Sequence, residues 1–251
     1  TLHPEFTQIT EQLQCIFQRV TVFTNGTTDN ICSFVPRECD AINYNSKFLK
    51  CIDSKRLLND KPGARVISVV ITKNIDIESL KIEIKQILNY CNRIRISLTL
   101  DCNANIFKDK KILIHNYKSL YNYCVGLGLE TIMDHNLPIC FLYGTDIVIN
   151  RPHALCDIDC SGLIDAHFNL RFCNIASDQN LQLFGKDDRI VPFKIVSNFL
   201  QMAFYERQIS VLNKLCKECT LYGDYCNGCF LHNKNITRAD VLHNTDFPTK
   251  R

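Results

Sequence analysis

The chain lacks a strong charge of either sign: 29 Lys and Arg against 26 Asp and Glu leave a net +3. Such a balance draws in neither nucleic acid nor an anionic membrane. No apolar run approaches the roughly 18 residues needed to cross a bilayer. The first residues follow an amphipathic helical pattern, not the charged-then-apolar layout of a secretory signal. Internal repeats and low-complexity segments are missing too. Gly126-Leu127-Gly128 has none of the remaining glycines of a phosphate-cradling loop. Ser161-Gly162 is no nucleophile elbow, and no His stands in a recognisable triad order, which leaves Ser-based hydrolysis without support. What remains is the pattern of a soluble, cytoplasmic chain of 251 residues, 46% hydrophobic. That is enough for one large domain, or one domain with a small satellite.

Cysteine is abundant. There are 15, an odd number, and without a secretory segment their short clustered spacings read as metal ligation in a reducing compartment, not as a disulfide scaffold. Two Asn-x-Thr sequons, at Asn25 and Asn235, are the only hints of secretion, and such tripeptides arise often by accident. Cys216-x2-Cys219 and Cys226-x2-Cys229 place paired thiolates where adjacent corners of one metal site can be reached without backbone strain. Four thiolates at these spacings suit an iron-sulfur cluster or tetrahedral zinc equally well. Cys15, Cys32, Cys39, Cys51, Cys91, Cys102 and Cys124 show no ligand spacing and read as small core or surface residues.

Between the ends, helical and strand periodicities alternate. Residues 6–19 carry Ile9, Leu13, Ile16 and Phe17 at helical spacing, and 20–24 switch to a β-rich run. A short strand is expected at 40–43 and a helix or turn at 46–51. Residues 65–72 form a near-continuous buried strand, followed by a helical stripe of Ile77, Leu80, Ile84, Ile87 and Leu88. Residues 93–100 alternate cleanly, and a helix is expected at 117–124; the charges at 108–111 read as a solvated loop. Repeated βα cycles imply a parallel sheet with its chemistry on loops at the strands' C-terminal ends, here beginning at Thr24, Asn43, Asn74 and Asp101. Near Pro138 the helical pattern fades and cysteines cluster until a helical stretch at 195–214, which places a boundary near 137 and divides the chain into 1–137 and 138–251.

Two groups of residues carry a family resemblance. The opening Thr1-Leu2-His3-Pro4-Glu5-Phe6 and the Thr24-Asn25-Gly26 turn resemble the segment that follows a Gly-Gly-Glu-Pro turn in radical SAM enzymes. Cys156-x3-Cys160-x12-Cys173, with Asp165 to Cys173 resembling an Asp-x-x-Gly-x-x-x-x-Cys turn, together with Cys216 to Cys229, is similar to the SPASM domain of radical SAM peptide-modifying enzymes.

The resemblance implies an α/β fold: a partial parallel (β/α) barrel lacking its first strands, then a small cysteine-rich domain. It implies an N-terminally truncated chain, with the Gly-Gly-Glu-Pro turn and the Cys-x3-Cys-x2-Cys motif of the reductive cluster encoded upstream, since neither occurs here. The chain as it stands is therefore not expected to cleave SAM.

For the intact enzyme the resemblance implies reductive cleavage of S-adenosyl-L-methionine to a 5'-deoxyadenosyl radical and hydrogen abstraction from a peptide or protein side chain. Electrons would come from a flavodoxin or ferredoxin. Cys156, Cys160, Cys173 and Cys229 would ligate one auxiliary [4Fe-4S] cluster, and Cys216, Cys219 and Cys226 a second. No cysteine follows Cys229 to complete the latter, so His232 or His243, an open iron, a lost ligand or an absent cluster all remain open. Phe168 stands where the family prefers Gly, and gaps of six and two replace the usual five and three in the tail. On the SAM side, Asn43 falls where a ribose contact is expected, with Thr24, Asn25 and Asn45 shaping the wall. The alternative for Asn43, Asn45 and Asn74 is a strand-end side chain satisfying local backbone. The competing reading of the whole chain is a zinc-binding interaction module without catalysis.

Overall fold

The computed structural model describes residues 5–53, 55–58, 60–91, 93–101, 108–133, 163–165, 168–171, 180–183 and 191–210. The chain divides into two compact units, one of Thr1–Asp101 with Ile112–Asp134, the other of Cys102–Lys111 with His135–Arg251.

In the first unit, α1 (Phe6–Ile16) leads into β1 (Thr21–Thr24), and a 3-10 turn over Asp29–Ser33 leads to β2 (Ala41–Asn45). A second 3-10 turn, Ser46–Cys51, precedes β3 (Ala64–Ile71). The cycles α2 (Ile77–Leu88), β4 (Ile94–Leu100), α3 (Lys110–Gly126) and β5 (Glu130–Met133) follow. All five strands pair in parallel, in the order β1-β2-β3-β4-β5. An order that never reverses, with right-handed crossovers, keeps every connection on one side of the sheet. That separates it from a doubly wound sheet, whose order turns back at a switch point.

The burial pattern agrees. On the covered face Ile42, Tyr44, Ile67, Val69, Ile71, Ile96 and Leu98 are all but sealed from solvent. They meet the helices' apolar stripes: Leu80, Ile84 and Ile87 of α2, and Leu113, Tyr117, Leu120 and Cys124 of α3, each at three- or four-residue spacing. Burial pushes the Cys124 thiol up to about 11, so it stays a protonated, inert core residue. The opposite face is more polar. Its rungs run Phe23, Asn43, Val66, Arg95, Glu130 and then Asn45, Ser68, Ser97, Ile132.

Strand β2 runs on to Asn45, past the loop expected to begin at Asn43, and two further elements of the first unit differ more from expectation. Helix α3 begins seven residues before 117, because Leu113 and Asn116 continue the buried stripe and Lys110, inside the expected solvated loop, is itself buried at the first helical position. Basic residues at a helix start oppose its dipole, so the sequence carries no start signal there and packing decides. Strand β5 has only four residues and a charged first one, too short for a periodicity to register.

The N-terminal end of the sheet is tied by buried polar groups. Asp40, 1% exposed, accepts from the N–H groups of Val20 and Arg37 at 2.8 Å each, from the Gln14 amide at 2.7 Å and from the Arg37 guanidinium at 2.9 and 3.0 Å. Burial pushes its carboxyl up, but those hydrogen bonds, Arg37's first, win and bring it down to about 2. Arg37 also donates to Gln14 O, Phe17 O and Gln18 O, satisfying carbonyls at the end of α1. Arg65, 1% exposed, donates to five backbone carbonyls of the loop before β3: Leu57, Leu58, Lys61, Pro62 and Gly63. Burial lowers its pKa from the ordinary guanidinium value.

In the second unit, β6 (Leu163–Ile164), β7 (Asn169–Arg171) and β8 (Leu181–Gln182) form an antiparallel sheet in that order, and α4 (Phe193–Ser210) follows. Val196 and Leu200 make the buried side of α4.

Candidate functional site

The C-terminal ends of β1 and β2 hold four of the residues singled out in the sequence. Thr24 lies on the covered face, paired with Tyr44, and its hydroxyl accepts from the Gly26 N–H at 3.0 Å. Its side chain therefore shapes the turn from behind. Asn25 is exposed at the tip. Gly26 takes φ +66°, and a Cβ there would stand 2.7 Å from Ile52 Cγ1 and 3.3 Å from Tyr44 Cδ1. Only glycine fits both the left-handed backbone and the close approach.

Asn43 and Asn45 point to the other, more polar face, two residues apart on β2. They differ in one respect. The Asn45 oxygen accepts from the Lys47 N–H at 3.1 Å and caps the 3-10 turn, the local role that a strand-end Asn often takes. The Asn43 Oδ1 is buried and has no hydrogen-bond partner among the described residues. A buried carbonyl oxygen left unpaired costs about 1 to 3 kcal/mol, so an orphan of this kind, without a donor among the described residues, has room for one from a ligand. It sits between Phe23 of β1, 59% exposed, and Val66 of β3, one register step from the salt-bridged Arg95 and Glu130 at 2.7 Å. A ribose hydroxyl fits as the missing donor.

Sequence reasoning missed the residue that ties these loops together. Arg56 donates through Nε to Asp29 Oδ1 at 2.9 Å and through Nη1 to Gly26 O at 3.4 Å and Cys51 O at 3.2 Å. Its own carbonyl accepts from the buried Tyr44 hydroxyl at 2.6 Å, and its N–H donates to Asp53 Oδ1 at 2.9 Å. The Arg56 hydrogen bond and the charges of Lys55 and Arg56 hold the Asp29 carboxyl below the usual range. Nothing in Ser54-Lys55-Arg56-Leu57 marks Arg56 out from an ordinary loop cation; its partners lie from 3 to 30 residues away.

Cys156, Cys160, Cys173, Cys216, Cys219, Cys226 and Cys229 lie outside the described residues, as do His232 and His243. Among the described residues no group of three or more His, Cys, Asp and Glu is placed to hold a metal, and no helix is long and apolar enough to cross a membrane. Of the cysteines without ligand spacing, Cys91 and Cys124 are buried, Cys32 is half-buried, and Cys15, Cys39 and Cys51 are exposed and unbridged.

The turn preceding Cys173 is described. Phe168 N–H donates to Asp165 O at 3.0 Å, Asp165 N–H to Asn169 O at 3.0 Å, and the Asp165 carboxylate accepts from the Asn169 N–H at 3.0 Å and pairs with Arg171 at 2.7 Å. Phe168 itself has φ +59°. The position where the resembled pattern carries glycine thus has the left-handed backbone that glycine adopts without cost, occupied here by a side chain that must be held there. Comparison of the sequence and structure with family models, with curated proteins and with solved structures yields no match.

Proposed function

We propose that this chain is part of a radical SAM enzyme that modifies a peptide or protein side chain, its second unit holding one or two auxiliary [4Fe-4S] clusters. The observation that carries the proposal is the singly wound parallel sheet with a polar face on which Asn43 presents a buried, unpartnered oxygen. Sequential βα order is what a partial barrel requires, and the orphan oxygen stands at the position where the resemblance puts a ribose contact. The Phe168 turn supports the second half of the reading, since the position where the resembled pattern carries glycine has a φ of +59°, which glycine adopts without cost.

SAM bound beside a reducing cluster would supply the hydrogen-abstracting radical, with a flavodoxin or ferredoxin as electron source; the substrate class rests on family analogy. The protein's part at this face is to position. Asn43 would accept from a ribose hydroxyl, the Thr24-Asn25-Gly26 turn forms a wall, and Phe23 and Val66 offer apolar surface on either side of the contact. Cys156, Cys160, Cys173 and Cys229 would hold one cluster and Cys216, Cys219 and Cys226 would contribute to a second. Anaerobic reconstitution with iron and sulfide tests the proposal. A brown protein with iron and acid-labile sulfide in equal amounts is the expected result. A colourless protein that takes up zinc alone would replace the proposal with a structural zinc module.

A further inference from the structure

We infer that Arg56 is a positioning residue for the nucleotide-binding edge, acting through the backbone carbonyl of Gly26 and not by contact with the ligand. The inference rests on the cofactor-site reading above and names what that site depends on. Three observations converge on it. The guanidinium bridges the loop after β1, through Gly26 O and Asp29, to the loop after β2, through Cys51 O. The same residue is anchored from the core by the Tyr44 hydroxyl on its carbonyl. The turn it holds is close-packed on Ile52, so a shift of one loop is transmitted to the other.

A planar fork can serve two carbonyls and a carboxylate at once, whereas an ammonium group cannot span them. The Gly26-Thr27 peptide plane, whose carbonyl Arg56 holds, therefore has one fixed orientation while Arg56 is present and several without it. Preorganisation of this sort is expressed in affinity, because a ligand meeting a loose wall must order it.

The experiment measures binding of S-adenosylhomocysteine to the full chain by ligand-observed NMR, alongside amide hydrogen exchange, in wild type, Arg56→Lys, Arg56→Met and Asp29→Asn. Both Arg56 variants are expected to weaken binding about 10-fold, the size of one lost charge-assisted hydrogen bond. The Gly26 amide, bonded to Thr24, should exchange faster in both while the β4 amides keep their protection. Arg56→Lys keeps the charge, so a purely electrostatic or stabilising role would be rescued by it and a positioning role would not. Asp29→Asn removes one anchor of the guanidinium but leaves both carbonyl contacts in place, so its loss of binding should be smaller than that of either Arg56 variant.

Wild-type affinity in both Arg56 variants would overturn the inference, as would a loss in Asp29→Asn equal to that in Arg56→Lys. Failure of wild type itself to bind at millimolar ligand would remove the cofactor-site reading, and the inference with it. Faster Gly26 exchange in Arg56→Met with undiminished binding would overturn the inference alone.

Discussion

Both ends of the parallel sheet are organised by arginines, and the two ends are built differently. At the N-terminal end Arg37 meets Asp40, a carboxylate sealed from solvent and saturated with hydrogen bonds, and Arg65 fills a cage of five carbonyls. At the C-terminal end Arg56 meets Asp29, a carboxylate whose side chain is 62% exposed, and reaches only two carbonyls, one of them at 3.4 Å. The difference separates stability from readiness. Buried groups that lose a partner keep a large desolvation penalty, whereas an exposed ion pair contributes little to folding and is free to serve a binding edge. The same division holds in parallel βα folds generally, where chemistry collects at the strands' C-terminal ends.

Breaking the N-terminal end should cost most. Arg65→Met leaves five carbonyls, two of them in fully buried hydrogen bonds, without their donor and is expected to destabilise the chain by about 3 to 5 kcal/mol, read from denaturant unfolding. Asp40→Asn follows at about 2 kcal/mol near neutral pH. Its sign is fixed by the depressed pKa: with the folded value near 2 and the unfolded value near 3.8, the contribution is present above about pH 4 and disappears as the pH falls toward 2. Wild type should lose stability across that window, and Asp40→Asn should show a flatter profile there.

At the C-terminal end the effects shrink. Gly26→Ala combines a left-handed backbone with a Cβ 2.7 Å from Cγ1 of the buried Ile52, and about 1 to 2 kcal/mol is expected. Asp29→Asn, removing an exposed partner, should leave the unfolding midpoint unchanged. A loss there as large as that of Asp40→Asn would erase the contrast between the two ends.

The sheet was readable in the sequence where a residue's burial follows its neighbours. The run at 65–72 and the alternation at 93–100 match β3 and β4 within a residue, and the stripe from Ile77 to Leu88 matches α2. Reading failed where long-range contacts decide. Lys110 opens α3 against the dipole because Leu113 and Asn116 are already committed to packing, and β5 forms because β4 offers an edge. At the candidate site the asparagines were found by position in the βα cycle, but nothing local distinguishes Asn43, left unpartnered, from Asn45, which caps its own turn. Arg56 was invisible for the same reason: its role is defined by Gly26 and Tyr44, whose distance in space a sequence does not print.

The most direct test of the account is the iron and sulfide content of the reconstituted full chain in wild type, Cys160→Ala and Cys173→Ala, with Cys91→Ala as the buried control. The account predicts that the first two substitutions each lower cluster content, because losing one of four interleaved thiolates opens an iron corner, and that Cys91→Ala does not. Zinc in place of iron, with its content unchanged by Cys160→Ala and Cys173→Ala, would show that Cys216, Cys219, Cys226 and Cys229 form a self-contained quartet and would contradict it.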